Sequence, residues 1–322
     1  MRILVIGGTR FIGPHVVRLL AAKHQVTCFH RGKTTLPPSH AQGVREIVDD
    51  RRNLAAHRDA LTSFDAVLDM IAMTDADAQS VVDLFRGRRI VAVSSADVYR
   101  AYARLIKTEP GEPDPVPLTE DAPVREKLYP LKDVLPGLGD SYDKLLVERL
   151  VLAGGGTVVR LPIVYGPGDG QRRLRAHLRR MDDKRPAILL DRVVAAHRAS
   201  RVFVENAAQW IAKAVESGAN KPYNVADHAW STEDWIRLVA KEAGWAGRIA
   251  TFPQESLPAA LTEDIDARQD FVLDAARIAE LGAIDAVPLA DTLRRTIAWE
   301  RANPPEGEKP NDYVEEDKLL AG

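Results

Sequence analysis

An α/β fold built on a doubly wound parallel sheet is predicted by three observations. A short apolar run, residues 2–6, passes into a glycine-punctuated turn and then an apolar helix. Strand-like and helix-like stretches alternate over roughly the next ninety residues, the pattern of βαβ crossovers. Residues after Gly166 fall outside that alternation and read as a smaller substrate lobe. The predicted organisation is a Rossmann-type sheet domain from 1–165 and 201–228, a substrate-binding lobe from 166–200 and 229–300, and a polar tail from 301–322.

The organising stretch is Met1 to Gly13, MRILVIGGTRFIG. Arg2 to Ile6 suits a strand buried on both faces of a parallel sheet. Gly7, Gly8 and Gly13 punctuate a tight turn that carries Thr9, Arg10, Phe11 and Ile12 into a helix, Pro14 to Ala22. A strand, a bare-amide turn and a helix start together make a site that a pyrophosphate can approach closely. This is a dinucleotide-binding opening.

Composition sets bounds. The chain has 322 residues, enough for one large or two coupled domains, and a formal net charge of -2, which exerts no global pull on nucleic acid or anionic membrane. Its single cysteine, Cys28, leaves no internal disulfide and reads as a buried mid-strand thiol. A strand starting at residue 2 leaves no room for a signal peptide, and no apolar run is long enough to span a bilayer. The expected location is cytoplasmic.

Gln25 to His30 is the second strand, followed by Arg31, Gly32 and Lys33. At this strand end a dinucleotide fold meets the adenosine ribose, through an acid for a 2′-hydroxyl or a base for a 2′-phosphate. His30 stands at the acidic position, Arg31 and Lys33 follow, and Arg10 can point the same way, so NADP(H) is expected over NAD(H). Val44 to Val48 is the third strand, ending at Asp49 and Asp50, which suit an adenine amino group. Asp65 to Met70 and Arg89 to Val93 are the fourth and fifth, with helix Asp75 to Phe85 between them.

The fifth strand runs into SSADVY (Ser94 to Tyr99), then PLTEDAP (Pro117 to Pro123), YDKLLVE (Tyr142 to Glu148), VVRLPIVYGPG (Val158 to Gly168), RVFV (Arg201 to Val204), YNV (Tyr223 to Val225) and LADTLRRTIAW (Leu289 to Trp299). In this order the series resembles the extended short-chain dehydrogenase/reductase family of NAD(P)-dependent epimerases and dehydratases, over most of the chain. The GGTRFIG opening is similar to the family's atypical branch, which includes chloroplast stem-loop RNA-binding proteins. The resemblance implies cofactor contacts also from Asp69, Met70, Ile71, Lys144, Pro162 and Val164. It implies a homodimer, and a Ser/Tyr/Lys constellation beside the nicotinamide.

In that constellation a phenol takes a proton from a substrate hydroxyl as hydride leaves, and a serine orients the oxygen. Ser95 matches the family serine, and Lys144 with Glu148 fits the family's lysine spacing. The tyrosine expected four residues before the lysine is replaced by Asp140, and the nearby phenol is Tyr142, about 200° around an ideal helix from Lys144. Three explanations stay open. Asp140 pairs with Lys144 and the protein is a non-catalytic cofactor binder. Or Gly137 and Gly139 delay the helix, so that Tyr142 swings toward Ser95. Or another group serves: Asp97, at a place where the dehydratase branch carries an acid, or Tyr99, Tyr102 or Asp69.

Arg100 to Asp140, with seven prolines, reads as a wall or lid. Ser141 to Ala153 is a helix, and strand Thr157 to Pro162 delivers Tyr165, Gly166 and Pro167 toward the nicotinamide. Ile163 replaces the asparagine of the family's nucleotide-sugar enzymes, which argues against such a substrate. Arg172, Arg173, Arg175, Arg179, Arg180, Lys184 and Arg185 make a basic stretch. It is open to three readings: a solvated face, a trap for an anionic substrate, or an RNA surface without the usual aromatics. Glu205 to Glu216 is a helix and Tyr223 to Val225 a strand. Ser231 caps a helix to Ala243 that carries Trp235 into the core. Asp274 to Glu280 and Leu289 to Arg301 are closing helices, and the tail from Glu300 to Gly322 is a candidate dimer arm. The expected function is hydride transfer at a carbinol carbon of a small polar, sugar-like or anionic substrate. The alternative is a non-catalytic NADP-binding protein with an RNA or protein partner.

Overall fold

The computed structural model describes residues 1–132 and 140–321. Twelve strands occur among them: β1 (Arg2–Ile6), β2 (Gln25–His30), β3 (Arg45–Val48), β4 (Ala66–Asp69), β5 (Arg89–Ser95), β6 (Thr157–Leu161), β7 (Ile163–Tyr165), β8 (Ala187–Asp191), β9 (Arg198–Phe203), β10 (Pro222–Asn224), β11 (His228–Ser231) and β12 (Arg248–Phe252). Seven form one parallel sheet in the order β10-β6-β5-β4-β1-β2-β3. The chain winds from β1 outward through β2 and β3, then returns to lay down the other half from β4. This reversal opens a crevice between β1 and β4 at the carboxyl ends of the strands.

Both faces of the sheet are covered, which explains why β1 lacks a polar face. Ile3 and Val5 pack with Val16, Val17 and Leu20 of helix Ile12–Ala21 and with Ala207, Ile211 and Val215 of helix Val204–Ser217. Leu4 and Ile6 point the other way, onto Ala78, Val81 and Leu84 of helix Asp75–Leu84 and Val147 and Val151 of helix Lys144–Ala153. Each such aliphatic side chain contributes about 1.5–3 kcal/mol by leaving water. Cys28 lies in the first of these cores, its thiol pushed up to about 12 by burial.

Two elements differ from expectation. The strand expected over Thr157 to Pro162 is β6, but the chain beyond it does not simply run on: Pro162 has no amide to continue a ladder, and Ile163–Tyr165 forms β7, which pairs with β9 in a separate three-stranded sheet, β11-β9-β7. The helix expected from Ser141 begins at Lys144, because the Asp143 carboxylate caps it, accepting from Leu145 N at 2.9 Å and Leu146 N at 3.4 Å. A second small sheet pairs β8 with β12.

The basic stretch and the tail meet. Helix Arg175–Asp182 lies against the returning segment that ends in helix Val314–Ala321. Arg175 and Arg179 both reach Glu308, Arg180 holds the buried Glu316 at 2.6 Å, Arg185 pairs with Asp317, and Arg172 faces Glu300. Arg185 also lies over the Tyr313 ring, 4.3 Å from its centroid. Leu319 and Leu320 pack on the core between β8 and β12. The expected free tail is therefore an intramolecular strap, and the arginines' counter-charges come from the chain itself. No helix among the described residues is long and apolar enough to cross a membrane.

Candidate active site

Gly7 and Gly8 have φ of +92° and +89°, a region that side chains disfavour, and they turn the chain from β1 into the helix. Gly13 allows the helix to touch the turn: a Cβ there would lie 2.5 Å from the Gly8 backbone. The resulting cleft, about 760 Å³, sits at the sheet's reversal point. Gly7, Gly8, Thr9, Arg10, Phe11, Ile12, Gly13, His30, Arg31, Lys33, Asp50, Met70 and Ile71 all line it. So do Thr34, Asp49, Arg51, Met73 and Asp77, of which Thr34, Arg51, Met73 and Asp77 carry no sequence signal. Thr34 ties the loop after β2 to the glycine turn through a 2.7 Å hydroxyl contact with Thr9.

At the end of β2, Arg31 and Lys33 are exposed, and His30 is buried with Nδ1 accepting from Gly32 N at 3.1 Å. The nearest carboxylates are engaged elsewhere. Asp49 accepts from His57 Nε2 and Asn53, each at 2.8 Å, and Asp50 accepts from the Arg52 amide and guanidinium, which hold its carboxyl down at about 2.

Four expected contacts, Asp69, Lys144, Pro162 and Val164, lie outside the cleft's lining. The Asp69 carboxylate is buried and accepts from both Arg51 terminal nitrogens, at 3.1 and 2.8 Å, and from Ile71 N. Arg51 also meets Asp77 at 2.9 Å, so it pins the ends of β3 and β4 together and engages the Asp69 carboxylate there. Val164 is buried in the hydrophobic core, because β7 pairs with β9 outside the main sheet, and with Pro162 it lies away from the cleft's lining. Tyr165 likewise turns inward, against Phe203 and Trp235, with its hydroxyl 2.7 Å from Thr292 Oγ1.

Beyond the cleft's inner end, the turn after β5 brings Ser95, Asp97 and Tyr142 together. The Tyr142 hydroxyl donates to Asp97 Oδ2 at 2.6 Å, and Ser95 Oγ accepts from Asp97 N at 3.2 Å while bearing on both the carboxyl and the phenol. Tyr142 can do this because it precedes the helix, so the 200° separation of a regular helix does not apply. Gly137 and Gly139 lie outside the described residues. Asp140 is exposed, and the buried Lys144 ammonium donates to Ala72 O at 2.6 Å and Val93 O at 3.0 Å, so the expected Asp140–Lys144 pair is absent.

The electrostatics depart from a lysine-activated phenol. Burial and the adjoining Asp97 carboxylate push Tyr142 far up, holding it protonated. Burial raises Asp97, against the hydrogen bond from Tyr142 and the nearby Arg125 and Lys144 charges. Burial lowers Lys144. Asp97 Oδ1 is buried without a partner in the structure, an acceptor with spare capacity. Tyr102 stands near, pushed up to about 12 by burial and then by Asp97. Tyr99 is fully buried and donates to Asn224 Oδ1 at 2.7 Å while accepting from Arg160, in a network with Glu148 and Ser94. That makes it a structural phenol.

Over residues 100–132 the wall segment packs around this cluster. It carries helix Arg100–Leu105, bridges Tyr99 to Val124 and Leu118 to Leu273, and packs Leu118 with Phe271. It also supplies Arg125, a residue with no sequence signal.

No protein-family model matches the chain, and no curated protein matches it. Solved structures do match across nearly its whole length. A Burkholderia cenocepacia protein named as a candidate epimerase aligns at TM-score 0.70 and 18% identity, covering 94% of this chain and 98% of its own. A UDP-glucose 4-epimerase from Thermotoga maritima, solved with UDP-glucose, aligns at 0.67 and 17%, covering 94% and 99%. A dTDP-glucose 4,6-dehydratase from Streptomyces venezuelae, solved with NAD, aligns at 0.66 and 20%, covering 94% and 98%. At these identities the likeness is one of architecture, and the chain has the Rossmann-type fold that these epimerases and dehydratases share.

Proposed function

We propose that this protein is an NAD(P)-dependent oxidoreductase of the epimerase/dehydratase kind, acting at a carbinol carbon of a small polar substrate. The observation that carries the reading is the Ser95–Asp97–Tyr142 cluster beside a glycine-turned cleft of dinucleotide size. The residues fit the cofactor: the Gly7, Gly8 and Gly13 cradle, which side chains would fill, suits a pyrophosphate, and Arg31 and Lys33 suit the 2′-phosphate of NADP(H). When bound, the nicotinamide supplies the hydride acceptor and donor.

The chain's own groups then handle the proton. Ser95 orients the substrate oxygen. Tyr142 accepts the substrate's hydroxyl proton at its phenolic oxygen as its own proton passes to Asp97 Oδ2, so the phenol relays and the carboxylate is the base. Asp97 suits that role because its burial lifts it from an ordinary value near 4, where a carboxylate is a weak base. Lys144 holds the ends of β4 and β5, and we assign it the nicotinamide ribose by its spacing to Glu148. Residues 166–200 and 229–300 supply the substrate lobe. Several nearby structures are of nucleotide-sugar enzymes, but Ile163 and the strap-paired arginines favour a smaller polar substrate here.

The alternative, a non-catalytic NADP binder with an RNA partner, draws on the arginine helix, whose charges face Glu308, Glu316 and Asp317. Calorimetric titration with NADPH and NADH tests the cofactor. NADPH should bind at least about tenfold tighter, and Arg31→Ala should remove most of that margin. A panel of alcohols, sugars and hydroxy acids, read at 340 nm, tests the chemistry. No turnover with any substrate, with cofactor C4 hydrogen failing to exchange, would overturn the enzyme reading.

A further inference from the structure

Tyr142 reaches Asp97 from a chain segment 45 residues away, and one buried side chain touches both sides of that junction. Arg125 is 1% exposed. Its Nε donates to the Asp97 carbonyl at 3.1 Å, and its terminal nitrogens clasp the Asp143 carboxylate, Nη2 donating to Oδ1 and Nη1 to Oδ2, the latter at 3.2 Å. Nη1 also donates to Lys127 O at 2.6 Å. Asp143 is the residue after Tyr142. Its amide donates to Met73 O at 2.9 Å, and its carboxylate both caps the helix and accepts from Tyr129 N at 2.8 Å. The Arg125 backbone is itself fixed, its amide donating to Val98 O at 2.9 Å.

We propose that Arg125 is the positioning residue of this site: its planar fork spans from the Asp97 main chain to the Asp143 carboxylate and thereby sets the Tyr142 phenol against Asp97. The inference deepens the enzyme reading and rests on it for its catalytic consequence, but the geometric claim stands apart. A buried ion pair is a poor way to gain stability, since apolar residues of similar volume serve as well or better. This one couples two segments whose relative placement decides whether a tyrosine outside the helix can act. It also gives the proline-bearing wall a part in the site rather than around it. A lysine could keep the charge but not hold both ends, because only the guanidinium presents donors in a fixed fork.

The test uses full-length protein labelled with [13Cζ]tyrosine, the Tyr142 signal being assigned with Tyr142→Phe. Arg125→Lys is compared with Arg125→Met/Asp143→Leu, in which both charges leave together so that neither is stranded in the core. In both variants the Tyr142 signal should shift, and its titration, held far above the ordinary phenol range in the wild type, should move toward the ordinary value near 10. The buried Tyr99 signal should stay put. With a working substrate, kcat should fall on the order of 100-fold in the double variant while NADPH affinity holds. If the double variant does not fold, the Arg125→Lys spectrum decides. A Tyr142 signal and titration unchanged in a folded variant overturns the proposal. A wild type without turnover overturns the enzyme reading instead, and the tyrosine spectra still decide the positioning claim.

Discussion

Replacing Gly13 by alanine should cost cofactor binding far more than it costs the fold. The new Cβ would lie 2.5 Å from both the Gly8 Cα and carbonyl carbon and 2.6 Å from its oxygen, all backbone atoms of the turn itself. Ordinary contact begins near 3.4 Å. Turn and helix must therefore separate by about 0.9 Å, since neither side is a flexible side chain that could swing away. Overpacking of this kind costs about 1–3 kcal/mol, offset by up to about 1 kcal/mol because alanine suits a helix better than glycine. Net destabilisation should be about 0–3 kcal/mol, visible as a drop in denaturation midpoint. The same movement displaces the amides that face the pyrophosphate by a third of a hydrogen-bond length, so NADPH affinity should fall about 30-fold or more. Denaturant titration and calorimetry on one preparation separate the two effects. Folded Gly13→Ala that binds NADPH within twofold of the wild type would refute the claim that the close turn-to-helix contact shapes the cofactor site.

Three further predictions concern charge. Arg51→Ala strands the buried Asp69 carboxylate and should destabilise the protein by about 3–5 kcal/mol, checked by urea unfolding, whereas Arg51→Ala/Asp69→Leu should recover much of the loss. Asp97 is held above its unfolded value, so it adds stability that is full below about pH 4 and is lost as pH rises through its folded value. Wild-type stability relative to Asp97→Asn should thus decline with rising pH in that window, by at most about 1.4 kcal/mol per pH unit. A pH-independent difference would contradict the buried assignment. Glu316→Ala leaves Arg180 without its buried partner and should cost about 1–3 kcal/mol, with hydrogen exchange accelerating first in helix Arg175–Asp182.

What could be read from the sequence follows the range of the interactions. The glycine turn, the alternating strands and helices, and the Ser231 cap, which accepts from Asp234 N at 3.0 Å, rest on neighbours within a few residues, and periodicity reports those. Asp143 belonged to the same class. An aspartate directly before KLLVE is a cap signal, and reading it would have moved the helix start past Tyr142 and resolved the displaced-tyrosine problem. Pro162 similarly marked the break between β6 and β7. Arg125 could not be found that way: it joins residues 28 and 18 positions distant, in a segment where arginine has no pattern around it. Nor could the fate of the arginine helix, since charge alone does not say whether the counter-ion is a ligand, solvent or another part of the chain.

The strap also sets an order of events. Arg180 and Arg185 are synthesised 136 and 132 residues before Glu316 and Asp317. At the roughly 5–20 residues per second of translation, the basic helix waits about 7–27 seconds without its counter-charges, while every strand of the parallel sheet, β10 included, is made before the strap. Domains generally fold as units and from the N-terminus, so the lobe's last layer forms after the nucleotide cleft is in place. A nascent chain stalled near residue 300 would thus present a sheet competent to bind cofactor and a lobe still carrying unpaired arginines. It would be recognisable by its affinity for a polyanion such as heparin, which the pairing with Glu316 and Asp317 should weaken in the finished chain.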